Sequence, residues 1–193
     1  MPGIICLEGN WNENDLSKEN SIVPVLQHLS INMNVKVIHK HCSTVEQLKY
    51  YFNLLSENRK YKGYGIIYLA FHGRSGNIYL DKHNHISLTE LMQLSMENKK
   101  TKNIFDGRRV HFGCCTTLKN EKIAYEFLAK TGAKLITGFV KKVDFHDSTA
   151  FDMLYLGKLA YTTKYNQLID TVIRNHENFT RELGFVSYSN VHA

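Results

Sequence analysis

A chain of 193 residues, 43% hydrophobic and 22% charged, is long enough to bury a core and too apolar to be disordered. Its net charge of +6 comes from scattered lysines, with short clusters at Lys99-Lys100-Thr101-Lys102 and Lys141-Lys142; no basic stripe points to direct nucleic-acid binding. No apolar run approaches ~18 residues and no charged-then-apolar leader opens the chain, so the expectation is one cytoplasmic domain over residues 1–193, off the membrane, with Cys6, Cys42, Cys114 and Cys115 as reduced thiols.

Gly3 to Glu8 reads as a first buried strand, followed by a polar loop containing Trp11. Apolar spacing from Ile22 to Met33 predicts a helix with Pro24 in its first turn, where a missing N–H costs little. Val35 to His39 is a second strand. Ser43-Thr44-Val45-Glu46 reads as a capping box opening a helix through Leu48, Phe52 and Leu55. Gly65 to Phe71 is a third strand, ending at His72-Gly73. Asn77 to Leu80 and His85 to Leu88, joined by the Asp81 to Asn84 turn, predict a hairpin. Thr89 is placed to cap a short helix through Leu91, Leu94 and Met96, and Asn98 to Gly107 is a polar linker. Arg109 to Gly113 is a fourth strand, stopping at Cys114-Cys115. A helix from Glu121 to Lys130 ends before Gly132, and Lys134 to Phe139 is a fifth strand. The loop Val140 to Asp147 leads to helices Ser148 to Tyr161 and Tyr165 to Arg181. This alternation predicts an α/β fold: a three-layer α/β/α sandwich around a mostly parallel sheet, with a small β-hairpin after the histidine strand.

Sites in open parallel sheets form at the carboxyl ends of strands. Two neighbouring strands ending in His72 and Cys115 would set an imidazole beside a thiol, the pattern of a cysteine nucleophile with a histidine base. Adjacent residues of a strand point to opposite faces, so only one of Cys114 and Cys115 can face His72. His39 and His41 share a strand face and could chelate, and His83 and His85 have the same spacing, but no second matching pair completes a four-ligand site; no metal or other cofactor is expected. Gly73-Arg74-Ser75-Gly76 lacks the spacing of a phosphate loop.

The order His-Gly, hairpin, short helix, Cys strand resembles that of caspase-like cysteine peptidases (clan CD), where the His lies roughly 50 residues before the Cys; the caspase Gln-Ala-Cys-x-Gly signature is absent. The chain is most similar to CHAT domains, the caspase-related branch that includes relatives of separase. The residues that carry this are Ser87-Leu88-Thr89-Glu90-Leu91 after the hairpin, and Val110-His111-Phe112-Gly113-Cys114-Cys115-Thr116-Thr117, which aligns Cys115 with the nucleophile and Cys114 with the preceding Ala. Phe127 to Ala133, Leu135 to Phe139, Val143-Asp144 and the Ser148 helix continue the match, which spans roughly Gly65 to Leu159. Lys141-Lys142 stand where the family has Trp-Pro, Phe145 where it has a second Asp, and Leu118 where it has a Gly.

The resemblance implies a cysteine endopeptidase acting on protein substrates, with Cys115 as nucleophile, His72 moving the protons, and the Gly73 and Cys115 N–H groups as oxyanion hole. Thr116 and Thr117 would cap the Glu121 helix, whose N-terminus would favour the thiolate. Caspases hold an acidic P1 side chain with a cation beyond their first strand. Here that loop carries Glu8, Glu13 and Asp15, and Asp144 and Asp147 lie in another loop at the same edge, so a basic P1 residue is expected, bound by Asp144, Glu8 and Asp147. CHAT-type effectors are switched by a sensor; with no room here for a sensor domain, a regulatory partner protein is expected, in a setting such as prokaryotic immunity. The other readings are a catalytically silent caspase-fold interaction module, which need not keep both His72 and Cys115, and an α/β nucleotide- or effector-binding domain, which the missing Gly-rich phosphate loop disfavours.

Overall fold

The computed structural model describes residues 2–12, 15, 17–18, 20–98 and 103–189. In chain order these form β1 (Gly3–Glu8), α1 (Val23–Met33), β2 (Lys36–His41), α2 (Val45–Glu57), β3 (Ile66–Ala70), β4 (His72–Arg74), β5 (Asn77–Tyr79), β6 (His85–Ser87), α3 (Leu88–Met96), β7 (Arg109–Phe112), α4 (Glu121–Thr131), β8 (Leu135–Phe139), α5 (Phe145–Ala160), α6 (Tyr165–Asn175), α7 (Glu177–Leu183) and β9 (Phe185–Ser189). The main sheet has the order β2-β1-β3-β7-β8-β9; β4, β5 and β6 form a separate three-stranded antiparallel sheet. The first five strands of the main sheet pair in parallel and β9 pairs antiparallel to β8.

The apolar runs form strands buried on both faces. Ile5, Leu7, Ile67, Leu69, Val110 and Phe112 pack with α2, α3 and α4, while Ile4, Cys6, Ile66, Tyr68 and Ala70 pack with α1, α5, α6 and α7. Successive strand residues therefore serve opposite layers, which is why these runs are continuous rather than alternating. The chain starts in the sheet interior, moves outward to β2, then returns past β1 to β3. Crossovers of one hand made in opposite directions put their helices on opposite faces, and α1 and α2 do lie on opposite faces. The reversal leaves a crevice at the carboxyl ends of β1 and β3, the usual place for a site in such sheets. Among the described residues no helix is long and apolar enough to cross a membrane.

Several expected boundaries move. Thr44, not Ser43, caps α2: its hydroxyl accepts from Gln47 N and the Gln47 side chain accepts from Ser43 N. Ser87, not Thr89, opens α3, in a complete capping box with Glu90. Helix α5 starts three residues earlier than Ser148, capped by Asp144. The expected last helix breaks at His176 into α6 and α7. Strand β9 lies beyond any expected element; its Phe185 ring packs 4.8 Å from Phe151 and 5.2 Å from Tyr155, tying the strand to α5.

Candidate functional site

Strand β3 ends at Ala70, and the buried Phe71 leads into β4, which leaves the main sheet with His72 exposed and Gly73 half-buried. Strand β7 ends at Phe112 and a turn follows. In that turn the Cys114 side chain is fully buried and its thiol donates to Leu69 O at 3.2 Å; Cys115, on the other side, is half-buried. The two strand ends touch. A Cβ placed on Gly73 would lie 2.0 Å from Cys115 O and 2.7 Å from Cys115 N, so only a bare backbone fits there. Thr116, left-handed at φ 55°, fixes the turn further: its hydroxyl accepts from Ser75 N at 2.9 Å and its N–H donates to Lys141 O at 3.2 Å. His72, Gly73 and Cys115 thereby line one cleft of about 870 Å³, with Trp11, Val143 and Asp144 on its other walls.

The His72 Nε2 lies 3.1 Å from Trp11 O. A carbonyl only accepts, so this nitrogen carries the proton and, in the neutral ring, Nδ1 keeps the lone pair and can take a proton. The Trp11 ring meets the imidazole edge-on at 5.0 Å and Phe145 at 5.1 Å. The Cys115 Sγ sits 3.4 Å from Val143 N and 3.6 Å from Val143 O. Val143 directly precedes the cap of α5, so the start of that helix carries the N–H that donates to the sulfur. The Cys115 N–H has no hydrogen-bond acceptor among the described residues, and no hydrogen bond there joins His72 to the Cys115 thiol. Burial pushes the Cys114 thiol far up, and it raises Cys42 to about 12. Cys6, Cys42 and Cys114 are all buried, which leaves Cys115 as the accessible thiol.

The expected recognition carboxylates separate. Asp144 lines the cleft, exposed, with Oδ1 accepting from His146 N at 2.7 Å and Asp147 N at 3.4 Å. Asp147 is exposed on the first turn of α5 and is not among the residues lining the cleft. Glu8 is fully buried and does not line the cleft: Oε1 accepts from Trp11 Nε1 (2.7 Å) and Ile22 N (2.8 Å), Oε2 from Ser21 Oγ (3.0 Å) and His39 Nε2 (2.7 Å). It has no lone pair to spare for a substrate cation, because these four donors already take both oxygens. Glu13 lies outside the described residues, as do Lys99 to Lys102. Neither Thr116 nor Thr117 caps α4; Asn120 does, through Ile123 N, and the helix start near Cys115 is that of α5. His39 is committed to Glu8, and no group of three potential metal ligands occurs among the described residues. Trp11 and Val143 are given no chemical role by the sequence; Val143 meets the thiol through its backbone N–H and carbonyl, and Trp11 meets His72 through its carbonyl and its ring.

Burial pushes the Glu8 carboxyl up, but the hydrogen bonds from His39, Ile22, Trp11 and Ser21 outweigh it and hold it below the ordinary range. A carboxyl depressed by folding contributes stability above its unfolded value, near 4.3, and that contribution is lost as pH falls through the folded value. The melting temperature of the protein is therefore expected to fall more steeply than that of Glu8→Gln between about pH 6 and about pH 3. Parallel curves in a thermal-denaturation series would count against this assignment.

The fold and cleft together define a three-layer α/β protein with a thiol and an imidazole at the carboxyl edge of its sheet. The chain belongs to a family of unknown function, DUF6642, whose family model matches residues 2–189. No curated protein matches its sequence.

Proposed function

We propose that this protein is a caspase-like cysteine endopeptidase of CHAT type. The observation that carries the reading is the contact of Gly73 with the Cys115 backbone, which sets His72 and Cys115 against one cleft. The His72 Nδ1 takes the Cys115 proton. The thiolate attacks the scissile carbonyl carbon, the C–S bond forms, and the carbonyl π pair moves onto oxygen. The unengaged Cys115 N–H and the Gly73 N–H receive that oxyanion. As the C–N bond breaks, the imidazolium gives its proton to the leaving amine. His72 then deprotonates a water that attacks the thioester, releasing the acid and restoring the thiol.

The substrate is a protein cut after Lys or Arg, whose side chain pairs with Asp144, the carboxylate exposed in the cleft. Activity is set by a regulatory partner in the cytoplasm. The test is labelling by a peptidyl acyloxymethyl ketone ending in Arg, read by intact-mass spectrometry. Wild type and Cys114→Ala are expected to take one label and Cys115→Ala none. His72→Ala is expected to react at least ~100-fold more slowly, and Asp144→Asn to lose the preference for Arg. Label retained in Cys115→Ala overturns the reading; an unlabelled wild type favours the silent interaction module.

A further inference from the structure

The buried Glu8 is a charged group that the proposed chemistry does not use. We infer that it is a positioning residue that sets the His72 imidazole by acting through Trp11; this rests on the His72–Cys115 reading above. Its two oxygens accept from four donors on three separate stretches of chain: Trp11 at the start of the loop after β1, Ser21 and Ile22 at the end of that loop, and His39 on β2. One carboxylate thus fastens both ends of the segment from Trp11 to Ile22 to the neighbouring strand. Just before that segment, Gly9 N donates to Ala70 O at the end of β3 (2.9 Å) and Asn10 N to Leu80 O just after β5 (3.0 Å). A Cβ on Gly9 would lie 2.6 Å from the ring of Phe71, the residue before His72.

Trp11 is where this fastening reaches the site. Its indole N–H is held by Glu8, its carbonyl accepts from His72 Nε2 at 3.1 Å, and its ring lies edge-on to the imidazole. The indole bond fixes the residue, and the residue fixes both which His72 nitrogen carries the proton and where the ring stands. A backbone carbonyl in a loop without regular structure can do this only if something rigid holds the loop. A fully buried carboxylate held by four donors is such an anchor, since losing a bond leaves a buried carboxylate oxygen short of a donor. Side chains that support a reacting group in this way decide whether it is held within the tolerance the chemistry needs.

The test compares Trp11→Phe, which keeps a ring and removes the indole donor, with Glu8→Gln and Glu8→Asp, using His72→Ala as reference. Two quantities are measured on folded protein below each variant's melting transition: the rate of Cys115 alkylation by iodoacetamide over about pH 5 to 9, and kinact and KI for the peptidyl-Arg acyloxymethyl ketone. Trp11→Phe and Glu8→Gln are expected to lower kinact about tenfold or more with KI within about twofold, because misplacement of a proton carrier acts on the reacting step. Their alkylation profiles are expected to shift toward that of His72→Ala, with Glu8→Asp recovering part of the loss. Wild-type kinact and profile in Trp11→Phe and Glu8→Gln, whatever their melting temperatures, overturn the positioning role and leave the dyad standing. A His72→Ala profile identical to wild type instead overturns the dyad, and the inference with it.

Discussion

Gly73→Ala is expected to abolish the reactivity of Cys115 while leaving the main sheet folded. The atoms that a Cβ at this position would meet are Cys115 O at 2.0 Å, Cys115 N at 2.7 Å and Cys115 C at 2.9 Å. All are backbone, so no rotamer change can relieve the clash. Either β4 or the turn after β7 must move by about 1 Å, and a displacement of that size costs about 100-fold in a reaction that depends on fixed geometry. The stability cost is that of overpacking, about 1–3 kcal/mol. Gly76→Ala is the matched control in the same hairpin. Gly76 has a φ of 82°, but a Cβ there would have no neighbour within 4 Å, so alanine adds backbone strain of about 1–2 kcal/mol without touching the site. The expected result is labelling by the peptidyl ketone slowed at least ~100-fold in Gly73→Ala and near wild-type in Gly76→Ala. Equal rates in Gly73→Ala and wild type would show that the strand ends need not touch for the thiol to react.

How far each feature is legible in the amino-acid sequence depends on which atoms carry it. The strands are legible because burial on both faces demands unbroken apolar runs, as in Ile66 to Ala70. Strand β9 is not, because its pattern is short and its start is marked only by Gly184, at φ 63°, which ends α7 and turns the chain. The early start of α5 has a signal in Asp144, followed three residues later by Asp147, but reading the stretch as a loop makes both of them recognition groups. His72 and Cys115 stand out because their side chains are chemically distinct and end apolar runs. Trp11 and Val143 do not, because a carbonyl or N–H belongs to every residue type and leaves no mark in the sequence. Glu8 shows the converse. A carboxylate at a strand end reads as exposed, and its burial follows only once Ser21, Ile22, Trp11 and His39 have closed around it; that is tertiary information.

Asp152→Ala is expected to destabilise the protein more than any other substitution named above. Asp152 is almost fully buried on α5; Oδ1 lies 2.8 Å from His111 Nε2 on β7 and Oδ2 2.5 Å from the Tyr68 hydroxyl on β3. His111 Nδ1 lies 2.9 Å from the Thr137 hydroxyl on β8, so one network joins a helix to three adjacent strands. Alanine removes the shared acceptor and strands two buried donors, which costs about 3–5 kcal/mol. For a chain of this length that is a fall of roughly 10 °C in melting temperature. Asn keeps the volume and one acceptor, so Asp152→Asn is expected to lose about half as much. Tyr68→Phe, measured alone and with Asp152→Ala, is expected to show coupling of at least ~0.5 kcal/mol because the two share a bond; strictly additive losses would mean the network is a set of independent contacts. The network also lies against Gly113, a residue of the cleft wall. A Cβ on Gly113, two residues before Cys115, would lie 2.7 Å from the Tyr68 ring and 3.1 Å from Asp152 Oδ2. The turn that presents the thiol thus rests directly on the Tyr68–Asp152 pair, and Asp152→Ala is expected to slow Cys115 alkylation even at temperatures where the variant remains folded.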